Sequence, residues 1–90
     1  MTEKVLPLFK MDLGITSVKK DEYFTSFILS AESQLNEKGI VLDENKTSDI
    51  MLLCDFSSWL YRSRKGTDGM PKNLKLRIRN RIIKRRAEDG

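Results

Sequence analysis

The sequence contains no histidine and a single cysteine, Cys54. Without histidine the chain lacks the commonest general base, the commonest imidazole metal ligand and the side chain that usually titrates near neutral pH. One cysteine cannot form a disulfide within the chain, and with no histidine to activate it Cys54 is a poor candidate nucleophile. We expect Cys54 to be a small core residue, and we predict no enzyme activity, no catalytic residue, no cofactor and no metal site.

Long apolar runs are also absent. The apolar residues near the start of the chain are interrupted by Pro7 and followed by Lys10 and Asp12. This run is shorter than the apolar region of a signal peptide and much shorter than the roughly 20 residues that span a bilayer. We therefore expect no membrane partner, and we expect the protein in the cytoplasm or in a particle assembled there.

The loops carry no recognisable ligand-binding motif. Gly66 and Gly69 are not followed by the Gly-Lys-Ser/Thr of a phosphate-binding loop. Asp43, Glu44 and Asp49 lack the spacing and the closing glutamate of an EF-hand. The sequence therefore predicts that these three acidic residues begin a helix and are solvated.

Charge is distributed unevenly along the 90 residues. The formal net charge is +4, but residues 1–61 hold 6 basic and 10 acidic side chains, whereas residues 62–90 hold 11 basic and 3 acidic ones. The two parts therefore carry −4 and +8. Such asymmetry indicates a basic face that meets an anionic partner, which the charge alone leaves open between nucleic acid, a membrane surface and an acidic protein.

Hydrophobic periodicity predicts four helices, over residues 4–13, 19–38, 48–64 and 71–86. Gly14-Ile15 and Gly39-Ile40 are typical helix stops, in which the glycine turns left-handed and the apolar residue folds back. Pro7 is compatible with the first helix only in its first turn. No strand pattern is present. The predicted fold is all-α, a single domain over residues 1–90 built as a small bundle of about four helices with a long central antiparallel pair.

The third helix has two apolar stripes. One consists of Ile50, Leu53, Cys54, Leu60 and Tyr61, and the other of Leu52, Phe56 and Trp59. A helix that is apolar on two sides either lies centrally in the fold or offers one stripe to a partner. We expect Tyr61 in the core. For Trp59, a core position and an interface position are equally compatible with the pattern.

The fourth helix combines an apolar stripe with two basic flanks. Leu74, Ile78 and Ile82 form the expected core stripe, and Leu76 and Ile83 lie on the far side. The flanks are Lys72, Lys75, Arg79 and Arg86 on one side and Arg77, Arg81 and Lys84 on the other. Such a helix binds nucleic-acid phosphates or an acidic protein surface, or it is a solvated helix whose long side chains cover apolar groups. It lacks stacking aromatics and a preceding turn-helix, which disfavours sequence-specific readout.

Several segments in order resemble the head–tail connector (head-completion, DNA-packaging) family of tailed bacteriophages. The resemblance covers residues 9 to 82, and it includes Leu13-Gly14-Ile15, Asp21-Glu22, Ala31-Glu32, residues 38–43, Trp59-Leu60-Tyr61-Arg62-Ser63-Arg64, Gly69-Met70-Pro71, Leu74 and Asn80-Arg81-Ile82. Ser57-Ser58 stands where relatives often carry two alanines, and Arg79 where asparagine is commoner.

This resemblance implies a non-enzymatic virion protein. Its copies would form a homo-oligomeric ring that docks on the portal protein, extends the DNA channel and joins the capsid to downstream tail-completion proteins, while DNA passes through without specific binding. The expected location is the head–tail junction of the virion, and the host bacterial cytoplasm during assembly. The alternative is a small nucleic-acid-binding protein that uses the basic helix. The candidate protein-interface residues are Phe56, Trp59, Arg62, Arg77, Arg81 and Lys84.

Overall fold

The computed structural model describes the backbone of residues 1–66 and 69–89 and the side chains of residues 1–66 and 69–85. Its four helices are α1 (Thr2–Leu13), α2 (Asp21–Glu37), α3 (Thr47–Arg62) and α4 (Lys72–Asp89), and the described residues contain no strand. The prediction of an all-α bundle is confirmed. Two sequence predictions lie outside the described residues, namely the loop at positions 67–68 and the side chain of Arg86 in the basic flank.

Both predicted glycine stops are present. Gly14 has φ 71°, and the Ile15 amide donates to the Lys10 carbonyl at 2.8 Å. Gly39 has φ 91°, and the Ile40 amide donates to the Leu35 carbonyl at 3.1 Å. These bonds satisfy carbonyls that a helix leaves without partners at its C-terminal end. Each stop also turns the following isoleucine back towards the core, and Ile40 is buried.

Pro7 departs from its predicted place in a first helical turn. Because α1 begins at Thr2, Pro7 lies in the second turn and leaves the Glu3 carbonyl without its usual donor. Glu3 and Pro7 are both exposed. Water is therefore available to this side of the helix, which reduces the cost of the missing hydrogen bond.

The relative directions of the helices follow from contacts at their ends. Phe24 near the start of α2 packs on Tyr61 near the end of α3, with ring centroids 5.6 Å apart, so α2 and α3 are antiparallel. Phe9 late in α1 also packs on Tyr61, at 5.7 Å. Lys10 late in α1 pairs with Asp21 at the start of α2 at 2.7 Å. Helix α1 therefore runs antiparallel to α2 and parallel to α3.

Helix α3 is the central helix, because it packs against all three others. Both of its apolar stripes are covered: Leu53 and Cys54 of one stripe and Leu52 and Phe56 of the other are buried. Ser57 and Ser58 are buried as well. The two-sided apolar pattern thus reflects a central position, and α4 supplies the cover for the second stripe.

Helix α4 is attached less extensively. Within the described residues it packs against α3 and against no other helix. Leu74 and Ile78 are buried and Ile82 is partly buried, which confirms the predicted core stripe. Leu76 and Ile83 lie on the far side and are exposed, also as predicted. The orientation of α4 therefore places one basic flank beside α3 and leaves the other in solvent.

Candidate interaction surface

Three of the six candidate interface residues meet at one cleft. Trp59, Arg62 and Arg77 line a cleft of about 580 Å³, and its other lining residues are Asp12, Asp55, Ser58, Gly69, Pro71, Asn73 and Leu74. The lining comes from α1, α3, α4 and the segment before α4. We call it the Trp59 cleft. It brings together side chains that are up to 65 positions apart in the sequence.

The indole of Trp59 is partly buried and held in place at both ends. Its Nε1–H donates to the Gly69 carbonyl at 3.2 Å, and its rings pack on Phe56 with centroids 6.0 Å apart. The hydrogen bond joins α3 to the segment that leads into α4. Trp59 therefore lies at the edge of the core and is partly accessible, and its role at an interface stays a prediction.

Two ion pairs border the Trp59 cleft. Arg62 Nη2 donates to Asp12 Oδ2 at 3.0 Å and to the Asp12 carbonyl at 3.1 Å. Arg77 Nη1 donates to Asp55 Oδ2 at 2.6 Å. All four side chains are at least one third exposed, so water screens both pairs and each contributes little to stability. Their charges remain accessible to a partner.

Phe56 is a correction to the candidate interface. Only 2% of its surface is exposed, and it packs within the hydrophobic core. The interface assignment was wrong because the stripe that contains Phe56 is covered by α4 of the same chain. A helical pattern shows that a stripe is apolar but does not show which helix covers it.

Arg81 forms an ion pair within the chain. Its guanidinium donates to both carboxylate oxygens of Asp49, and Nη2 also approaches the Val41 carbonyl at 3.3 Å. Asp49 is only 2% exposed, and its Oδ2 accepts from the Asp43 amide at 2.7 Å. The pair joins α4 to the start of α3 and to the connector before it. Arg81 therefore stabilises the fold, whereas the sequence suggested a contact to an external acidic surface.

The pKa of Asp49 reflects opposing influences. Burial raises it, whereas hydrogen bonds from Arg81 and from the Asp43 amide lower it, as do the positive charges of Arg81 and Lys46. The net result is a pKa below the ordinary value of 3.8. Asp49 is therefore ionised at neutral pH. The prediction that Asp49 is merely a solvated helix-start residue was wrong, because Arg81 lies 32 positions away and no local pattern indicates the pairing.

Lys84 is exposed and lines a second, smaller cleft of about 300 Å³ together with Arg81 and Asp49. No ion pair of Lys84 occurs among the described residues. Within the described residues Lys84 is thus the one candidate of its basic flank without an ion pair, since Arg77 and Arg81 are paired with aspartates of α3. The sequence predicts one shared role for these three cations. In the structure Arg77 pairs with Asp55 and Arg81 pairs with Asp49, whereas Lys84 has no ion pair among the described residues.

Cys54 lies in the core, as predicted. It is buried, and this burial, followed by the negative charges of Asp55 and Asp12, raises the pKa of its thiol to about 11. The thiolate is the nucleophilic form of cysteine, and its fraction at neutral pH is therefore very small.

Among residues 1–66 and 69–85, no group of three or more histidine, cysteine, aspartate or glutamate side chains is arranged to hold a metal ion. No helix in the described part of the chain combines the length and the apolar character that crossing a membrane requires. Comparison with protein-family models, with curated proteins and with solved structures finds no match to this chain.

Proposed function

We propose that this chain is a structural subunit of a head–tail connector in a tailed bacteriophage. Its copies form a ring that docks on the portal protein, extends the DNA channel and joins the capsid to downstream tail-completion proteins. The subunit acts by binding and catalyses no reaction. Its place is the head–tail junction of the virion, after assembly in the host cytoplasm.

The observation that carries this proposal is the composition of the Trp59 cleft. Trp59 and Arg62 come from the Trp-Leu-Tyr-Arg segment, and Gly69 and Pro71 come from the Gly-Met-Pro segment. These two segments are central to the sequence resemblance, and they meet on one accessible surface. A partly exposed tryptophan beside an exposed arginine is also the composition that commonly dominates binding energy at protein interfaces. The cleft is therefore our candidate contact to the portal.

The test is to mix the purified chain with the portal protein encoded beside it. Sedimentation measures the affinity, and electron microscopy of the product shows whether a ring caps the portal. Trp59 is the single tryptophan of the chain, so its fluorescence reports directly on the cleft. We expect the emission of Trp59 to change on capture, because the partner displaces water from the indole.

Arg62→Ala and Arg64→Ala form a matched pair for this test. Both arginines are exposed, but Arg62 lines the Trp59 cleft, whereas the Arg64 guanidinium stacks over the Tyr61 ring. We expect Arg62→Ala to weaken portal capture about tenfold, which corresponds to about 1.4 kcal/mol, and Arg64→Ala to leave it unchanged. Absence of capture by the unmodified chain contradicts the proposed function. If both variants lose portal capture equally, the assignment of the Trp59 cleft as the portal contact is contradicted.

A second candidate function, nucleic-acid binding, is favoured by four exposed cations of α4. Lys72, Lys75, Arg79 and Lys84 are exposed and form no ion pair with the described residues. These four cations can contact phosphates without breaking an internal ion pair. Arg77 and Arg81 cannot, since each already pairs with an aspartate of α3.

A titration with duplex DNA of arbitrary sequence at several salt concentrations separates the two functions. If α4 binds phosphates, log K falls with log salt by roughly 0.9 per neutralised phosphate. Changing Lys72, Lys75, Arg79 and Lys84 to alanine then removes both the binding and the slope. Portal capture without measurable DNA binding supports the connector instead.

A further inference from the structure

The solvent-facing side of α4 is basic and partly apolar. It consists of Lys72, Lys75, Leu76, Arg79 and Ile83, which we call the α4 face. Leu76 is 54% exposed and Ile83 is 52% exposed, and they lie seven positions apart, two turns along one side of the helix. The three cations of the face form no ion pair among the described residues. Two exposed aliphatic side chains flanked by unpaired cations are therefore available to a partner.

The solvent-facing side of α2 has the opposite charge. It consists of Glu22, Ser26, Leu29, Ser33 and Glu37, which we call the α2 face. Leu29 is 50% exposed, and both glutamates are exposed without an ion pair in the described chain. Helix α2 carries four acidic residues and no basic residue. The two faces therefore share an apolar centre and differ in the sign of the charges around it.

We propose that the α4 face of one copy docks on the α2 face of a second copy, an inference that rests on the proposed function as an oligomeric ring. The two faces belong to different helices, and the backbones of α2 and α4 do not pack against each other within the described residues. Such a contact is heterologous, so every copy keeps one face of each kind free for the next neighbour. A heterologous contact produces a closed ring when the rotation between copies closes.

The spacing of the residues allows the two faces to fit. When Leu29 sits in the gap between Leu76 and Ile83, it lies opposite the middle of α4. Lys72 is then about 11 Å along α4 from Leu29, at a rise of 1.5 Å per residue. Glu22 and Glu37 lie about 10 and 12 Å from Leu29 in the two directions of α2. A glutamate therefore reaches the level of Lys72 whether the helices run parallel or antiparallel.

The contact is expected to be weak for a single pair of copies. One helix lying on another buries much less than the roughly 800 Å² per partner of a standard interface. Leu29, Leu76 and Ile83 are also the only large apolar side chains on the two faces. We therefore expect a dissociation constant of about 1 mM between free copies, and stable assembly only when a template such as the portal holds many copies together.

Charge reversal on each face tests the proposal. The first double variant carries Glu22→Lys and Glu37→Lys on the α2 face, so that both faces are basic. The second carries Lys72→Glu and Arg79→Glu on the α4 face, so that both faces are acidic. We expect each double variant to lose self-association at least tenfold in sedimentation equilibrium at low salt, measured with the purified chain up to about 1 mM. An equimolar mixture of the two variants restores association, because each face of one variant is then attracted to a face of the other.

Two further variants separate specific contact from net charge. The variant with all four reversals has the net charge of the original chain and its two faces are again complementary, so we expect it to self-associate like the original. Lys19→Glu with Lys65→Glu lowers the net charge as much as the acidic double variant does, but both lysines lie outside the two faces. We expect this control to associate like the original chain.

The outcomes distinguish the inference from the proposed function. If the portal captures the original chain and both double variants equally well, the contact between copies lies elsewhere and the inference is overturned, while the connector function stands. Self-association that is unaffected by either double variant, or that the mixture does not restore, also overturns the inference. Failure of the portal to capture any of these proteins, including the original chain, contradicts the proposed function itself.

Discussion

Asp49, buried near the start of α3, accepts hydrogen bonds from the guanidinium of Arg81 on α4 through both carboxylate oxygens. The two residues lie 32 positions apart, and their pairing ties the last helix to the first turn of the central one. The exposure of the partners is unequal, because Asp49 is buried whereas about one third of the Arg81 side chain is exposed. This inequality determines how the fold responds when either residue is removed.

Arg81→Met is expected to lower the free energy of unfolding by about 3 kcal/mol, because it leaves a buried carboxylate without its charged partner. Asp49→Asn is expected to cost less, about 2 kcal/mol, because the guanidinium left behind still reaches water. Urea unfolding of the single and double variants measures both effects and the coupling between the residues. Arg79→Met is the control, since Arg79 is exposed and unpaired in the described chain, and we expect a change below about 0.5 kcal/mol. Equal effects of Arg81→Met and Arg79→Met contradict this account.

Acid destabilises the fold in part through Asp49. Its folded-state pKa lies below 3.8, so its contribution to stability is complete above about pH 5 and is lost as the pH falls through the folded pKa. The Asn variant has no carboxylate at this position and lacks that component. We expect the gap in unfolding free energy between the original chain and Asp49→Asn to narrow as urea melts are repeated from pH 7 towards about pH 3. A constant gap contradicts the role assigned to the ionised carboxylate.

Gly39→Ala is expected to destabilise the protein by about 1 kcal/mol. The residue has φ 91°, where a Cβ is unfavourable, although no neighbouring atom lies close enough to clash with it. Gly69→Ala is a matched control, because Gly69 does not have a positive φ and its Cβ would also meet open space. Thermal unfolding of the two variants separates backbone strain from crowding. If Gly39→Ala and Gly69→Ala have equal melting temperatures, the left-handed conformation of Gly39 does not require glycine and this prediction is wrong.

The Cys54 thiol is expected to resist modification in the folded protein. It is buried, and its pKa is raised to about 11, so both access and the thiolate fraction are low. We expect an aromatic disulfide reagent at neutral pH to react at least a hundredfold more slowly with the folded chain than with the chain in 6 M guanidinium, about the concentration that unfolds even very stable domains. Rapid modification without unfolding contradicts the core position.

The sequence predicts the fold well because the relevant signals are local. Apolar residues every three or four positions define the four helices, and Gly14 and Gly39 end two of them through backbone conformations that other residues adopt only at a cost. The helix ends differ from the predicted ones by at most three residues. The larger difference is the turn occupied by Pro7, since only the structure shows that α1 begins early enough to place it in the second turn.

The ion pairs could not be predicted in the same way. Arg77 pairs with Asp55, which lies 22 positions away in the sequence, and Arg62 pairs with Asp12, which lies 50 positions away. The packing of the helices determines these partners. Periodicity places the cations on a flank of α4 but does not reveal the acidic residues that face them. The same limit explains Phe56, whose apolar stripe is equally compatible with covering by α4 and with binding a partner. For Trp59 the structure shows partial burial at the edge of the core, and its interface position stays a prediction.

Within the described residues, α3 is the one helix that packs against α4, and Arg81 and Arg85 of α4 also donate to the carbonyls of Val41 and Gly39 in the connector between α2 and α3. Tilting or detaching α4 leaves the packing of α1, α2 and α3 on one another intact, so we expect α4 to open at a lower free-energy cost than α3. Its backbone amides are therefore expected to exchange with deuterium earlier than those of α3. We expect a chain built in this way to adapt the angle of α4 to whatever lies beside it while the other three helices keep their shape.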